Sequence, residues 1–426
     1  MIQDRYGNNL STNSQTAADL YIDAVDRFLA ADSGVDATFQ RAIDEDENFA
    51  LAHLALARSH QMRGDRERIG PSLKKARDAA TSVTPREAAQ VDAIGRLLEG
   101  QAGPAYELIR AHLMEYPRDV MMAQTCMGVF GLIGFSGLPG REFEQLAFTT
   151  SLAPHYGDDW WFLSQHAFAQ IEAGQTAQAE TAIEQSLSIN PRNAQGAHIR
   201  AHLYYENGEP AAGFDYLTDW RRTYPRDGLL HCHIAWHVAL WALERGDEEI
   251  MWRIIDTDIK PGAGVSPPLN VLTDTTAILF RAAMADVDVA PERWQTLSDF
   301  AEENFPQPGL AFADVHAALA HAQAGNRDAV AKIIADAKGP AGDIVSTIAR
   351  GFEAMTLENW GDANNHLTSA MADHARIGGS RAQRDLIEFA LAWTLLQFGR
   401  KDQAQAVIAM HRPTTTPQNA VAGLYT

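Results

Sequence analysis

The chain has 426 residues, with 35 Lys and Arg against 55 Asp and Glu and a formal charge of −20. Its 46 % apolar and 21 % charged residues are a globular composition, and the acidic balance speaks against a nucleic-acid partner and against an anionic membrane face. The two cysteines, Cys126 and Cys232, have no CxxC spacing, which excludes a thiolate zinc site and fits a reduced, cytoplasmic compartment.

In chain order, Met1–Thr12 lacks the apolar stretch of a secretory signal. The segment LAHLALARSHQMRGDRERIGPSLKKA reads as a helix, a turn at Gly64 and a second helix. Gly100 and Pro117 follow, 17 residues apart. The longest uncharged window, Val120 to Gly140, has the 21 residues that would span a bilayer. Gln124, Thr125, Ser136 and several glycines interrupt it, so it reads as a buried helix, a glycine-rich turn and a second short helix, not a span. From Asp159 the pattern becomes regular. Gly174 and Gly208 are 34 residues apart, as are Pro191 and Pro225, and each glycine precedes its proline by 17.

Each such unit predicts a helix, a glycine turn, a second helix and a proline beyond its end. Ala179, Ile183 and Leu187 supply an apolar stripe at helical spacing. Looser copies surround Gly246, Gly325, Gly361 and Gly399. A 34-residue helix-turn-helix repeat is the tetratricopeptide (TPR) signature. The prediction is an all-α, TPR-like α-α solenoid of antiparallel helix pairs spanning residues 1–426. Residues 1–155 form more divergent repeats and 156–426 the regular ones.

The histidines single out one part of this array. Five of 15 fall within 40 residues: His198, His202, His231, His233 and His237. Two pairs, His198/His202 and His233/His237, are spaced i,i+4, which puts both rings on one helix face. Both pairs lie on first helices of consecutive repeats, side by side, so four imidazoles are expected to converge. Cys232 adjoins His233, Asp274 is an isolated acid in NVLTDTTAILF, and Asp314 and His316 stand in another first helix.

The stretches GAHIRAHLYYENGE, LLHCHIAWHVALWALERGDEE, NVLTDTTAILFRAAM and FADVHAALA, with IGGSRAQRD at Ile377 to Asp385, resemble the tetratricopeptide repeat protein 38 family. The resemblance runs from about Tyr156 to the C-terminus, and implies the TPR-like fold and a recurring polar constellation without a settled reaction. The residues fitting it are His198, His202, Cys232, His233, Trp236, His237, Asp274, Asp314, His316, Ser380, Gln383, Arg384 and Asp385. The chain departs from it at Ile234, Ala235 and Val238, where polar or aromatic residues are usual.

Two functions of different class follow. In the first, a concave pocket binds a small polar or anionic molecule and transforms it by acid–base chemistry, as a hydrolase or lyase. His198, His202, His233, His237, His316, Asp274 and Cys232 would be catalytic, with Trp236, Asp314, Ser380, Gln383 and Arg384 holding the ligand. Ser380 would cap a helix whose N-terminus, with Arg384, meets a carboxylate or phosphate. No cofactor is predicted, although His and Asp would suit a divalent metal. HExxH, GxSxG and nucleotide-binding glycine motifs are missing from the sequence. The alternative is a non-catalytic scaffold binding a peptide or protein in its groove, and a homo-oligomer is compatible with either.

Overall fold

A computed structural model describes residues 2–411 and 420–425. Among them are 22 α-helices, joined by short turns and preceded by a two-residue hairpin pairing Ile2–Gln3 with Asn9–Leu10. The chain is a TPR-like, all-α solenoid of antiparallel helix pairs. None of the described helices is long and apolar enough to cross a membrane.

The regular unit is built as its sequence predicts. Trp160–Glu172 begins where Asp159 accepts the Phe162 N–H at 2.9 Å, and Gly174 turns the chain into Thr176–Ile189 at φ +80°. Ala194–Asn207 then ends at Gly208, whose φ of +70° no side chain with a Cβ adopts without strain. Ala179 and Ile183 are wholly buried, and Leu187 packs beside them. Two elements differ from expectation. Gly361 lies inside the helix Trp360–Met371, and the turn before it is made by Glu358 at φ +55°. In the Val120–Gly140 window only the single turn Val120–Ala123 is an α-helix, and turns and bends occupy the rest. Gly131 and Gly134 lie so close to the preceding backbone that a Cβ would collide with it, at 2.5 and 2.2 Å. That crowding requires glycine at both positions, and the second short helix expected here is not formed.

The superhelix folds back on itself. Arg141 donates to the carbonyls of Ala375 and Gly379, each at 2.6 Å, and Arg376 donates to Gly137 at 3.1 Å. Elsewhere Tyr224 reaches the Ala31 carbonyl, Arg63 the Asp227 carbonyl and Arg66 the Asn304 carbonyl. The helix Arg381–Gln397, buried on most of its faces, packs inside against Ala194–Asn207 and Pro268–Met284. First helices that line an open groove in an extended array are therefore interior here. In His231–Glu244 every residue from His231 to Leu243 is buried.

Candidate functional site

Ala194–Asn207 carries His198 and His202, and its neighbour His231–Glu244 carries His233 and His237. Small residues bring the surrounding helices close. A Cβ on Gly196 would meet Leu187 of the preceding helix at 3.0 Å, and one on Gly213 would meet the Trp241 ring at 2.5 Å. Trp241 in turn packs on His237, 6.0 Å between centroids.

The four imidazoles form a closed quadrilateral. Its sides are 4.6 Å for His198–His202, 4.7 Å for His202–His237, 5.0 Å for His237–His233 and 4.7 Å for His233–His198. The ring nitrogens Nε2 of His198 and His202 share a hydrogen bond of 2.8 Å. Phe168 covers these two rings at 5.8 and 4.9 Å, and Trp236 lies flat on His233 at 5.2 Å. Asp274 stands behind His233, 2.9 Å from Nδ1, which leaves Nε2 facing the cluster. His237 is 0 % exposed, and neither of its ring nitrogens has a hydrogen-bond partner. Burial first, and the neighbouring imidazoles second, hold His198 and His237 well below the usual histidine range, so both are neutral at pH 7. Four buried imidazoles of this kind can relay protons or share one positively charged guest.

The other residues read from the sequence lie in three places. Asp274 joins the cluster, and the Cys232 thiol donates to it at 3.7 Å. Burial and the Asp274 charge push that thiol well above its ordinary range. Cys232 is therefore a thiol at neutral pH, which makes it a weak nucleophile. Among the described residues, no hydrogen bond or ring contact joins His316 or Asp314 to the four rings. His316 donates from Nδ1 to the Phe312 carbonyl at 2.7 Å and packs edge-on against Phe312, and burial brings it down to about 4. Asp314 accepts the Gly309 N–H at 2.9 Å, and burial raises it to about 6. It fastens the loop ahead of its own helix and orients no imidazole.

Ser380, Gln383 and Arg384 form a third group. Ser380 and Gln383 make a reciprocal capping box at the start of Arg381–Gln397. Arg384, expected to hold a ligand carboxylate or phosphate, instead meets the chain's own acids: Glu142 at 3.0 Å and Glu172 at 3.7 Å, with the Gly379 carbonyl at 2.5 Å. Glu172 also accepts the Arg381 backbone N–H at 3.0 Å, so the anion at this helix N-terminus is internal. Burial lifts Glu172 to about 7 against the pull of Arg384.

Sequence reasoning missed Arg141 and Glu142, which lie in the divergent part of the array, and Phe168 and Glu172, which lie in a regular repeat at positions that no spacing singles out. It also missed Arg281, which donates to the Ala382 carbonyl at 2.6 Å and whose charge lowers His237. Its signal was present, because Arg281 follows Asp274 by seven residues on one helix, two turns on the same face.

No family model matches the chain. Among solved structures it is similar to the human IFIT1 dimer with m7Gppp-AAAA, at 13 % identity and TM-score 0.48, over 99 % of this chain and 96 % of that one. Yeast Tom70 aligns at 12 % identity and TM-score 0.37, over 92 % and 83 %. The P58(IPK) TPR domain aligns at 12 % and 0.23, over 91 % and 99 %. At such identities the likeness is one of fold alone.

Proposed function

We propose that this chain is a cytoplasmic TPR-like protein whose working part is an internal binding centre made by His198, His202, His233, His237 and Asp274. The resemblance to the tetratricopeptide repeat protein 38 family is carried as part of this reading. One observation supports it above the others: His237 is fully buried with two unsatisfied ring nitrogens. A buried polar atom without a partner costs about 1–3 kcal/mol, and an apolar residue of similar shape would avoid that cost. Retaining the imidazole is intelligible if a guest satisfies it. The guest is small, because Phe168, Trp236 and Trp241 surround the rings. With His198 and His237 neutral, any acid–base chemistry would begin with an imidazole accepting a proton.

Native mass spectrometry of the full chain, compared with its denatured mass, tests this. A mass excess that disappears in the double variant His202→Ala/His237→Ala supports an internal guest. The sequence mass alone in both proteins refutes it. The second reading, a non-catalytic scaffold for a peptide or protein, has its support on the outer surface. There Arg66, Ile69, Leu73, Lys74, Arg77 and Leu98 line an open cavity of about 500 Å³ with mixed charged and apolar walls.

A further inference from the structure

We propose that His198, His202, His233 and His237 bind one first-row divalent transition-metal ion through four imidazole nitrogens, with Asp274 holding His233 in register. The proposal rests on the internal-centre reading above and names its guest.

One ligand atom from each of the four residues lies within 4.8 Å of all the others, and all four residues are buried. Nitrogens about 2.0–2.1 Å from a common ion stand ~3.3 Å apart in a tetrahedron, or ~2.9 and ~4.1 Å apart in a square. The 2.8 Å between Nε2 of His198 and Nε2 of His202 is close to the short edge of a square, and the ligand atoms of all four residues lie within 4.8 Å of one another, somewhat wider than either arrangement. Small ring rotations would close the set around an ion.

The chemistry of the donors narrows the guest. Imidazole suits zinc, copper, nickel and iron, whereas magnesium and calcium require oxygen ligands, and none of the four donors is an oxygen. A metal-binding imidazole must offer a bare nitrogen, as neutral rings do. The Asp274 carboxylate on Nδ1 of His233 fixes the tautomer that turns Nε2 inward, the carboxylate–histidine–metal arrangement common behind metal ligands. Asp274 also supplies one negative charge close to the ion. The competing account is a metal-free network of shared protons. The 2.8 Å bond explains one nitrogen each of His198 and His202 in that account, but leaves both nitrogens of His237 unexplained.

The test uses the full-length protein, stripped with a chelator under unfolding conditions and refolded with cobalt(II), then with zinc(II) as competitor. One equivalent of cobalt with visible d–d absorption is expected, displaced by zinc. His202→Ala and His237→Ala should lose binding, and Asp274→Asn should weaken it about 10–100-fold. His155→Ala, on an exposed residue, should leave it unchanged. Where a variant fails to fold, the wild type still decides. Cobalt-loaded protein should show paramagnetically shifted, exchangeable imidazole N–H resonances, and their absence overturns the proposal. Uptake that is sub-stoichiometric, or equal in wild type and folded tetrad variants, overturns it as well. A tetrad-dependent mass excess that proves organic sinks the metal and leaves the internal centre standing. No excess together with no uptake sinks both.

Discussion

Glu172 offers the sharpest test of how this interior handles charge. Its carboxylate lies between Arg384 at 3.7 Å and the Arg381 N–H at 3.0 Å, yet burial outweighs these partners and lifts it from an ordinary 4.5 to about 7. The folded state therefore holds this proton more tightly than the unfolded chain does. Between pH 4.5 and about 7 the native protein carries the extra proton, so this group's contribution is greatest below pH 4.5 and is lost as pH rises through 7. The interval from 4.5 to about 7, at about 1.36 kcal/mol per pH unit, gives about 3 kcal/mol. Glu172→Gln imitates the protonated acid and keeps an oxygen for the Arg381 N–H. Urea unfolding of both proteins should give nearly equal stability at pH 4.5. At pH 8 the variant should be more stable, by up to about 3 kcal/mol. A stability difference that is the same at both pH values would refute the reasoning.

Other expectations follow from the same packing. His316, brought down to about 4 by burial, runs the opposite way: its contribution is full above pH 6.5 and is lost as pH falls toward 4. His316→Gln should shift the acid-unfolding midpoint, followed by circular dichroism, to lower pH; an unchanged or higher midpoint counts against a neutral buried ring. Gly213→Ala should destabilise by about 1–3 kcal/mol in urea, because its Cβ would meet Trp241 at 2.5 Å. The near-ultraviolet tryptophan signal should change with it, and wild-type stability would show that the helices separate freely. Cys126 and Cys232 are both buried, with Cys126 pushed up to about 12. A thiol reagent at pH 8 should therefore titrate neither in the native protein and both in urea; rapid native labelling of Cys232 would refute its burial as a protonated thiol.

Most of the repeat and half of the site were legible in the sequence, for different reasons. Local chemistry sets a glycine turn, so Gly174, Gly208, Gly246 and Gly325 each take φ between +70° and +80° where the spacing placed them. Gly361 misled because Glu358, with no mark in the sequence, takes the left-handed position instead. The two i,i+4 histidine pairs were visible because helix periodicity carries across adjacent repeats. Asp274 stood out because an acid in an apolar helix requires a partner. Arg384 also signalled a partner, but the sequence could not show that Glu142 and Glu172, more than 200 residues earlier, supply it.

What separates these outcomes is closure. A TPR array read from its repeats has a concave face open to water, where imidazoles would titrate near neutrality and an arginine would await an anion. Arg141, Arg376 and Tyr224 fasten distant repeats together, and the helix Arg381–Gln397 occupies the inside. The same residues then obey the rules of an interior. His198 and His237 lose their protons, the Cys232 thiol keeps its own, and Arg384 is neutralised from within the chain. A buried set of imidazole nitrogens suits a cation rather than an anion, so the guest proposed above carries the opposite charge to the one the open groove implied. Most of the −20 balance of the chain belongs to its outer face, whereas the function proposed here depends on four buried rings that the water outside does not reach.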